Sequence, residues 1–208
     1  AHINLIDAQT LQSARSKVFI LGGEALTEEQ IKHLRKNEGC RIYNEYGPTE
    51  ATVGCIVKEI GSENVPYIGT SIPNTQVYLL NSHQSLVPYG SLGEICIGGV
   101  GLARGYLNRP ELTNEKFIAN PYNPEERLYR TGDLGRWRED GNLEYLGRID
   151  DQVKIRGYRI ELGEIEQALS SYPESKQAVV IARALTSNST DKDLIAYTTG
   201  DATAEELK

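Results

Sequence analysis

The sequence has no methionine, one tryptophan, two phenylalanines, three cysteines and three histidines among 208 residues. Cys40, Cys55 and Cys96 are odd in number and far apart, with no CxxC pair. That argues against a disulfide framework and against a cysteine zinc site. Each cysteine is read as a small buried hydrophobe in a reducing compartment, so a cytoplasmic location is expected. His2, His33 and His83 do not cluster, which removes metal-ligand spacings and Ser-His-Asp or Cys-His nucleophile arrangements; His33 is expected on a solvated helix face. No apolar run is long enough to span a bilayer, and no signal-peptide pattern opens the chain. Net charge is −7 with no long basic run, so neither nucleic acid nor a membrane is expected as a partner. The chain starts Ala1-His2-Ile3-Asn4 without methionine, and a Thr203-x-x-Glu206 capping box stands at its far end. Both features lead us to expect an excerpt of a longer polypeptide.

What is present suits one or two globular domains: 39% hydrophobic and 25% charged residues. Lys17-Val-Phe-Ile-Leu21 is a short apolar run before Gly22-Gly23, the pattern of a buried strand and tight turn. Thr27-x-x-Gln30 is a capping box opening a helix to about Asn37, with Gly39 as its stop. Cys40-Arg-Ile-Tyr43 follows as a strand, which makes a βαβ unit and predicts a parallel sheet. After about residue 65 the texture changes to short alternating segments, at 76–80, 94–97 and 143–146, separated by Gly, Pro and Asn. These predict an antiparallel sheet or barrel. From Asp150 a small α+β unit is predicted: a strand at 152–156, a helix at 163–171 with Ile165, Ala168 and Leu169 on one face, strands at 177–183 and 193–198, and a loop at 184–192.

Several segments carry chemistry, each with a plainer reading. Asn44-Glu-Tyr-Gly-Pro-Thr-Glu50 follows a predicted strand and turns at Gly47-Pro48, which sets an aromatic ring, a hydroxyl and a carboxylate at the C-terminal edge of a sheet. Tyr46 there would stack on a base, Thr49 would bond a phosphate, and Glu50 would hold Mg²⁺; otherwise this is a polar surface turn. The glycine-rich run 93–107 lacks the phosphate-loop lysine pattern and reads as structural β-corner glycines. Tyr129-Arg-Thr-Gly-Asp-Leu134 fixes Asp133 after a turn, where its two oxygens would suit a vicinal diol such as ribose. The charged, Gly-containing run 147–166 lies where the texture shifts, as a solvated connector or a hinge would.

In this order and at these separations the segments at 21–26, 44–50, 93–107, 129–134 and 147–166 resemble the adenylate-forming superfamily: acyl-CoA synthetases, luciferases and the adenylation domains of nonribosomal peptide synthetases. Tyr46-Gly-Pro-Thr-Glu50, Leu102-Ala-Arg-Gly-Tyr-Leu107 and Arg159-Ile-Glu-Leu-Gly-Glu-Ile-Glu166 look like the peptide-synthetase branch. The resemblance implies a partial adenylate-forming α/β fold. Residues 1–149 would be the C-terminal part of the large adenylation core, with a βα layer to about 65 and an antiparallel β-barrel subdomain over about 66–149. Residues 150–208 would begin the small C-terminal domain after the hinge.

The resemblance also implies an activity: ATP-dependent conversion of an amino acid to aminoacyl-AMP, then transfer to the phosphopantetheine thiol of a peptidyl carrier protein domain, among neighbouring synthetase domains. Asn44 and Tyr46 would hold adenine, with Gly23 nearby. Thr49 would bind the α-phosphate and Glu50 would hold Mg²⁺. Asp133 would grip the ribose, assisted by Tyr145 and Arg148. Asp150 would be the hinge, and Gly157-Tyr158 would face the site during thioester formation. The substrate pocket would comprise Ile20, Gly22, Glu45, Val53 and Gly54. Glu45 as the one carboxylate of a small apolar pocket would accept from a side-chain amide or a cation and repel a carboxylate, and Ile-Gly-Glu-Val-Gly in that order resembles the pattern for asparagine activation; ornithine also fits, and a Glu45 facing solvent would say nothing about substrate. The family's upstream phosphate loop, its amino-group aspartate and its C-terminal lysine have no match, so residues 1–208 alone are expected not to turn over. Alternatives are an acyl-CoA synthetase-type ligase or a non-catalytic adenylation fragment.

Overall fold

The structure is a computed structural model that describes residues 3, 6–15, 17–183, 192–203 and 205–207. Residues 184–191 of the expected loop lie outside the described residues. The chain separates into two compact units, one ending at Ile149 and the other beginning at Asp150.

The first unit opens with helix α1 (Ala8–Ser13), strand β1 (Val18–Leu21), helix α2 (Glu28–Leu34) and strand β2 (Arg41–Tyr46). Asp7 caps α1 by accepting from the Thr10 amide. Thr27 and Gln30 form the reciprocal capping box on α2. The helix stops at Leu34 rather than Asn37, because the next amides turn back by three residues, Lys36 to His33 and Asn37 to Leu34. Asn37 is then buried, accepting from Lys17 Nζ at 2.8 Å. His33 is half-buried rather than solvated, its ring nitrogen 2.7 Å from the Ile6 carbonyl oxygen. Leu11, Leu26, Ile31, Leu34 and Ile42 make the core beneath the sheet.

Strands β1 and β2 pair in parallel, as the βαβ pattern predicts. The sheet is nevertheless mixed, because β3 (Ile56–Glu59) and β4 (Thr70–Ser71) add antiparallel neighbours in the order β1-β2-β3-β4. A tight connection at Gly47 returns the chain beside β2, and such a short link can join only antiparallel strands.

A second sheet holds β5 (Thr75–Leu80), β6 (Gly93–Gly99), β7 (Phe117–Asn120), β8 (Asn123–Trp137) and β9 (Leu143–Arg148), with helix α3 (Pro110–Lys116) before β7. The path is β5-β6-β8-β7, with β9 also on β8. The expected barrel is therefore an open antiparallel sheet: among the described residues no pairing closes β5 onto β7 or β9. The long strand β8 explains this, since its first half pairs β7 and its second half pairs β9. The Leu143 carbonyl accepts from the Ile68 amide at 3.0 Å, and Gly69 and Leu143 form a bridge that ties the two sheets. Cys55, Ile56, Leu79, Ile95, Ile97 and Leu143 fill the core they share. All three cysteines are buried and free, as expected.

The second unit contains β10 (Val153–Ile155), β11 (Tyr158–Ile160), α4 (Leu162–Ser170), β12 (Ser175–Arg183) and β13 (Asp193–Gly200). Arg156 and Gly157, both at positive φ (52° and 83°), make the tight turn between β10 and β11. Helix α4 turns Leu162, Ile165 and Leu169 inward and leaves Ala168 exposed, a shift of the expected face. Among the described residues no helix is long and apolar enough to cross a membrane.

Two tests follow from this frame. Gly69 has φ +94°, and a Cβ there would lie 2.1 Å from the Val57 carbonyl oxygen. Gly69→Ala should cost about 2–4 kcal/mol in urea unfolding, whereas Gly163→Ala, with open space around it in α4, should gain up to about 1 kcal/mol. On the sheet, Arg41 grips Glu59 with two 2.8 Å bonds and holds its carboxyl down at about 2 from an ordinary 4.5. A depressed carboxyl stabilises the fold above its unfolded value and loses that effect as pH falls through its folded value. The gap in urea midpoint between the parent and Glu59→Gln should therefore close between pH 4.5 and about 2.

Candidate active site

The chemistry-bearing side chains gather where β2 ends and the chain turns. Gly47 makes that turn tight: a Cβ on it would sit 1.5 Å from the Val53 carbonyl oxygen. Residues Thr49–Ala51 form one 3-10 turn. Thr52 and Val53 follow at φ 61° and 66°, a conformation that β-branched residues adopt only when neighbours impose it. The neighbours are on the glycine-rich segment after β6. The Gly101 carbonyl accepts from Thr52 Oγ1 at 2.6 Å, and the Ala103 amide donates to the Glu50 carbonyl at 2.8 Å. The glycines are thus structural corners, as expected; Gly99 at φ +115° passes Asn74 too closely for any Cβ.

Glu50 is buried, and its Oε1 accepts from Tyr106 Oη at 2.6 Å. Burial, and the bond to Glu50, push the Tyr106 phenol well up, so it stays a donor. Tyr106 itself is braced edge-on by Phe117, ring centres 5.7 Å apart. Thr49 stands exposed beside this pair.

Asp133 is buried on β8 and is held from two sides. Tyr46 Oη, at the end of β2, donates to Oδ2 at 2.5 Å. Arg148 Nη1, at the end of β9, donates to Oδ1 at 2.7 Å and to the Thr131 carbonyl at 3.1 Å. Burial first, and then the Asp133 charge, keep the Tyr46 phenol protonated. Tyr145, opposite Gly135 on β9, tilts against Tyr46 with ring centres 6.2 Å apart. Two phenol rings, a carboxylate and a guanidinium therefore meet at one place.

The opposite face of β2 carries Glu45. A Cβ on Gly54 would lie 2.2 Å from Glu45 Oε1, and one on Gly22 would lie 2.9 Å from the Glu45 carbonyl oxygen. The two glycines therefore make the notch that the carboxylate occupies. Parallel register sets Ile20 beside Tyr43 and hence on the Glu45 face. Ile20 and Val53 are 63% and 62% exposed, so they border open space.

Other expected residues are placed differently. Asn44 is buried, and its amide donates to the carbonyls of Pro66 and Tyr67 at 3.1 and 3.0 Å, so it also clamps that segment to β2. Gly23, at φ +86°, is exposed in the turn after β1. In the second unit, exposed Asp150 accepts from the Gln152 amide at 3.3 Å, Gly157 forms the β10–β11 turn, and Tyr158 is 74% exposed beside it. Tyr106, Thr52, Thr131 and Glu94 were missed as functional candidates. Only folding brings the segments at 49–52 and 101–106 together, and no local spacing announces that.

A model of the family described as "AMP-binding enzyme" matches residues 3–107 of the 208. The chain belongs to that family. Within it, the chain is 48% identical over 203 residues to gramicidin S synthase 2 of Brevibacillus brevis, covering 97% of this chain and 4% of that protein. Among solved structures, holo-PA1221, an NRPS protein containing adenylation and PCP domains, matches with a TM-score of 0.86 at 30% identity, covering 99% of this chain and 36% of that one. Holo-AB3403, a four domain nonribosomal peptide synthetase bound to AMP and glycine, matches with a TM-score of 0.62 at 43% identity, covering 94% and 15%. The chain thus spans a small part of the relatives it matches. Its fold is a partial adenylation-domain fold.

The Glu50–Tyr106 contact predicts a stability split among tyrosines. Tyr106→Phe strips a buried carboxylate of a donor and should cost about 1–3 kcal/mol in denaturant unfolding. Tyr158→Phe, at an exposed tip, should stay within about 0.5 kcal/mol of the parent.

Proposed function

We propose that this segment belongs to the adenylation domain of a nonribosomal peptide synthetase, which activates an amino acid as aminoacyl-AMP and passes it to a carrier-protein thiol. The observation that carries this reading is the Asp133 carboxylate, anchored by Tyr46 and Arg148. A carboxylate fixed in this way accepts from a vicinal diol, and the rings of Tyr46 and Tyr145, inclined at 40° to one another, offer aromatic surface for a base. Together they suit the adenosine of ATP. Thr49 would bond the α-phosphate.

Mg²⁺ fits the donor chemistry. Among the described residues no three acidic, histidine or cysteine side chains form a metal cage. Magnesium needs no such cage, since one or two carboxylates with phosphate oxygens and water complete its shell. Glu50, a buried carboxylate anchored by Tyr106, would hold it, and the bound ion would supply charge neutralisation at the phosphates. The chain's own part is to position. An amino-acid carboxylate oxygen would form a bond to the α-phosphorus while the bond to pyrophosphate breaks, with no enzyme nucleophile involved.

Asparagine is the substrate we favour. Glu45 lies between Gly22 and Gly54, where a substrate side chain ending in a donor would meet it. An amide or a cation satisfies a carboxylate; an aspartate side chain would repel it. The carrier-domain partner is supported by holo-PA1221, in which adenylation and PCP domains occur together. Gly157-Tyr158, exposed on its turn, would face the site in the thioester-forming state, with Asp150 as the hinge.

The test is amino-acid-dependent exchange of pyrophosphate into ATP by the complete polypeptide that carries these residues, over a panel of the common amino acids and ornithine. Asparagine should drive exchange, and Glu45→Ala should reduce its preference over aspartate by roughly tenfold or more. Exchange driven by an unrelated side chain would refute the Glu45 assignment and leave the chemistry standing. No exchange with any amino acid would refute the function.

A further inference from the structure

Asp133 sits on an interruption of its own strand. The β6–β8 ladder slips between Glu94 and Cys96, and the β8–β9 ladder slips between Asp133 and Gly135. Gly132 is at φ +74°. Backbone groups at such a bulge lose their ladder partners and must find others. Here they do so largely through side chains. Thr131 Oγ1 accepts from the Asp133 amide at 2.9 Å and donates to the Ile95 carbonyl at 2.7 Å. The Ile149 amide donates to the Gly132 carbonyl at 2.8 Å. The Gly132 amide donates to Glu94 Oε1 at 3.1 Å.

Glu94 is the costly member of this set, because it is a carboxylate only 7% exposed. Burying such a charge requires a compensating cation and hydrogen bonds. Arg130 supplies them, with Nε and Nη2 at 3.1 and 2.8 Å from Oε2. Two carboxylates thus flank one bulge, each with its own arginine: Glu94 with Arg130, and Asp133 with Arg148. A neutral side chain would serve the fold at less desolvation cost, so the charged bond to Gly132 calls for another account. A charge-assisted bond to a backbone amide is stronger than a neutral one. It fixes the Thr131–Gly132 peptide, which leads into the Gly132–Asp133 peptide held by Thr131 Oγ1 and the Ile149 amide.

We propose that Glu94 is a positioning residue for ribose recognition: by capping the Gly132 amide it sets the direction in which the Asp133 carboxylate meets the ribose hydroxyls. This rests on the reading of Asp133 as the ribose ligand. It adds a role for the glutamate that opens the glycine-rich segment.

The experiment compares calorimetric binding of ATP and 2′,3′-dideoxy-ATP to the complete polypeptide. The parent should prefer ATP. Glu94→Ala, checked for a cooperative melt, should weaken ATP binding about tenfold and leave dideoxy-ATP binding within about twofold, so the preference collapses. Glu94→Gln, which keeps an acceptor for the Gly132 amide but loses the charge, should recover only part of the preference. If Glu94→Ala does not fold, Arg130→Gln at its half-exposed position gives the reading, with a fall of about threefold in the same preference. A folded Glu94→Ala, or Arg130→Gln in its place, that keeps the parent's preference overturns the proposal. So does an equal loss for both nucleotides, which marks a structural role alone. A parent that does not distinguish the two nucleotides instead refutes Asp133 as the ribose ligand, and the proposal falls with it.

Discussion

A carboxylate that belongs to one sheet and is held from both organises the candidate site. Asp133 takes one bond from Tyr46, on the mixed sheet, and one from Arg148, on the open antiparallel sheet. Burying that carboxylate is unfavourable unless both oxygens are satisfied. The requirement therefore constrains much else. Strand β2 must end where Tyr46 reaches across, β9 must present Arg148 opposite Asp133, and the Gly69–Leu143 bridge must hold the two sheets in register. Removing either partner leaves a buried charge underbonded, which costs more than the bond itself.

The same logic recurs at lower stakes around the turn. Gly47 lets the chain reverse, and the pair Thr52 and Val53 at positive φ closes the 3-10 turn that buries Glu50 and leaves Thr49 exposed. The glycine-rich segment holds that strain in place through Gly101, Ala103 and Tyr106. Glu50 and Thr49 are consequently fixed by residues roughly fifty positions away in sequence. Rigid placement of this kind is what positioning chemistry requires, since a site without an enzyme nucleophile has only geometry and charge to contribute.

Local signals were readable in the sequence, and non-local ones were not. The capping box at Thr27, the βαβ run and the alternating strands all appear where spacing and residue type require them. Register and closure escaped, because they depend on pairings across long separations: β3 and β4 reverse the parallel sheet, and β8 divides its edge between β7 and β9. The convergence of Tyr46, Asp133, Tyr145 and Arg148 was anticipated only through family resemblance. Asn44 shows the limit of that route, since its amide also clamps the carbonyls of Pro66 and Tyr67. Glu94 and Tyr106 were invisible because a glutamate on an alternating strand and a tyrosine among glycines look ordinary until their partners are known.

Asp133 is the residue on which the proposed nucleotide site depends. The most direct measurement is the affinity of AMP for the complete polypeptide and for its Asp133→Asn form, by calorimetry, with folding of both verified. Asparagine keeps the size and loses the charge, so AMP binding should weaken by roughly 10- to 100-fold. A folded Asp133→Asn protein that binds AMP as tightly as the parent would contradict that role.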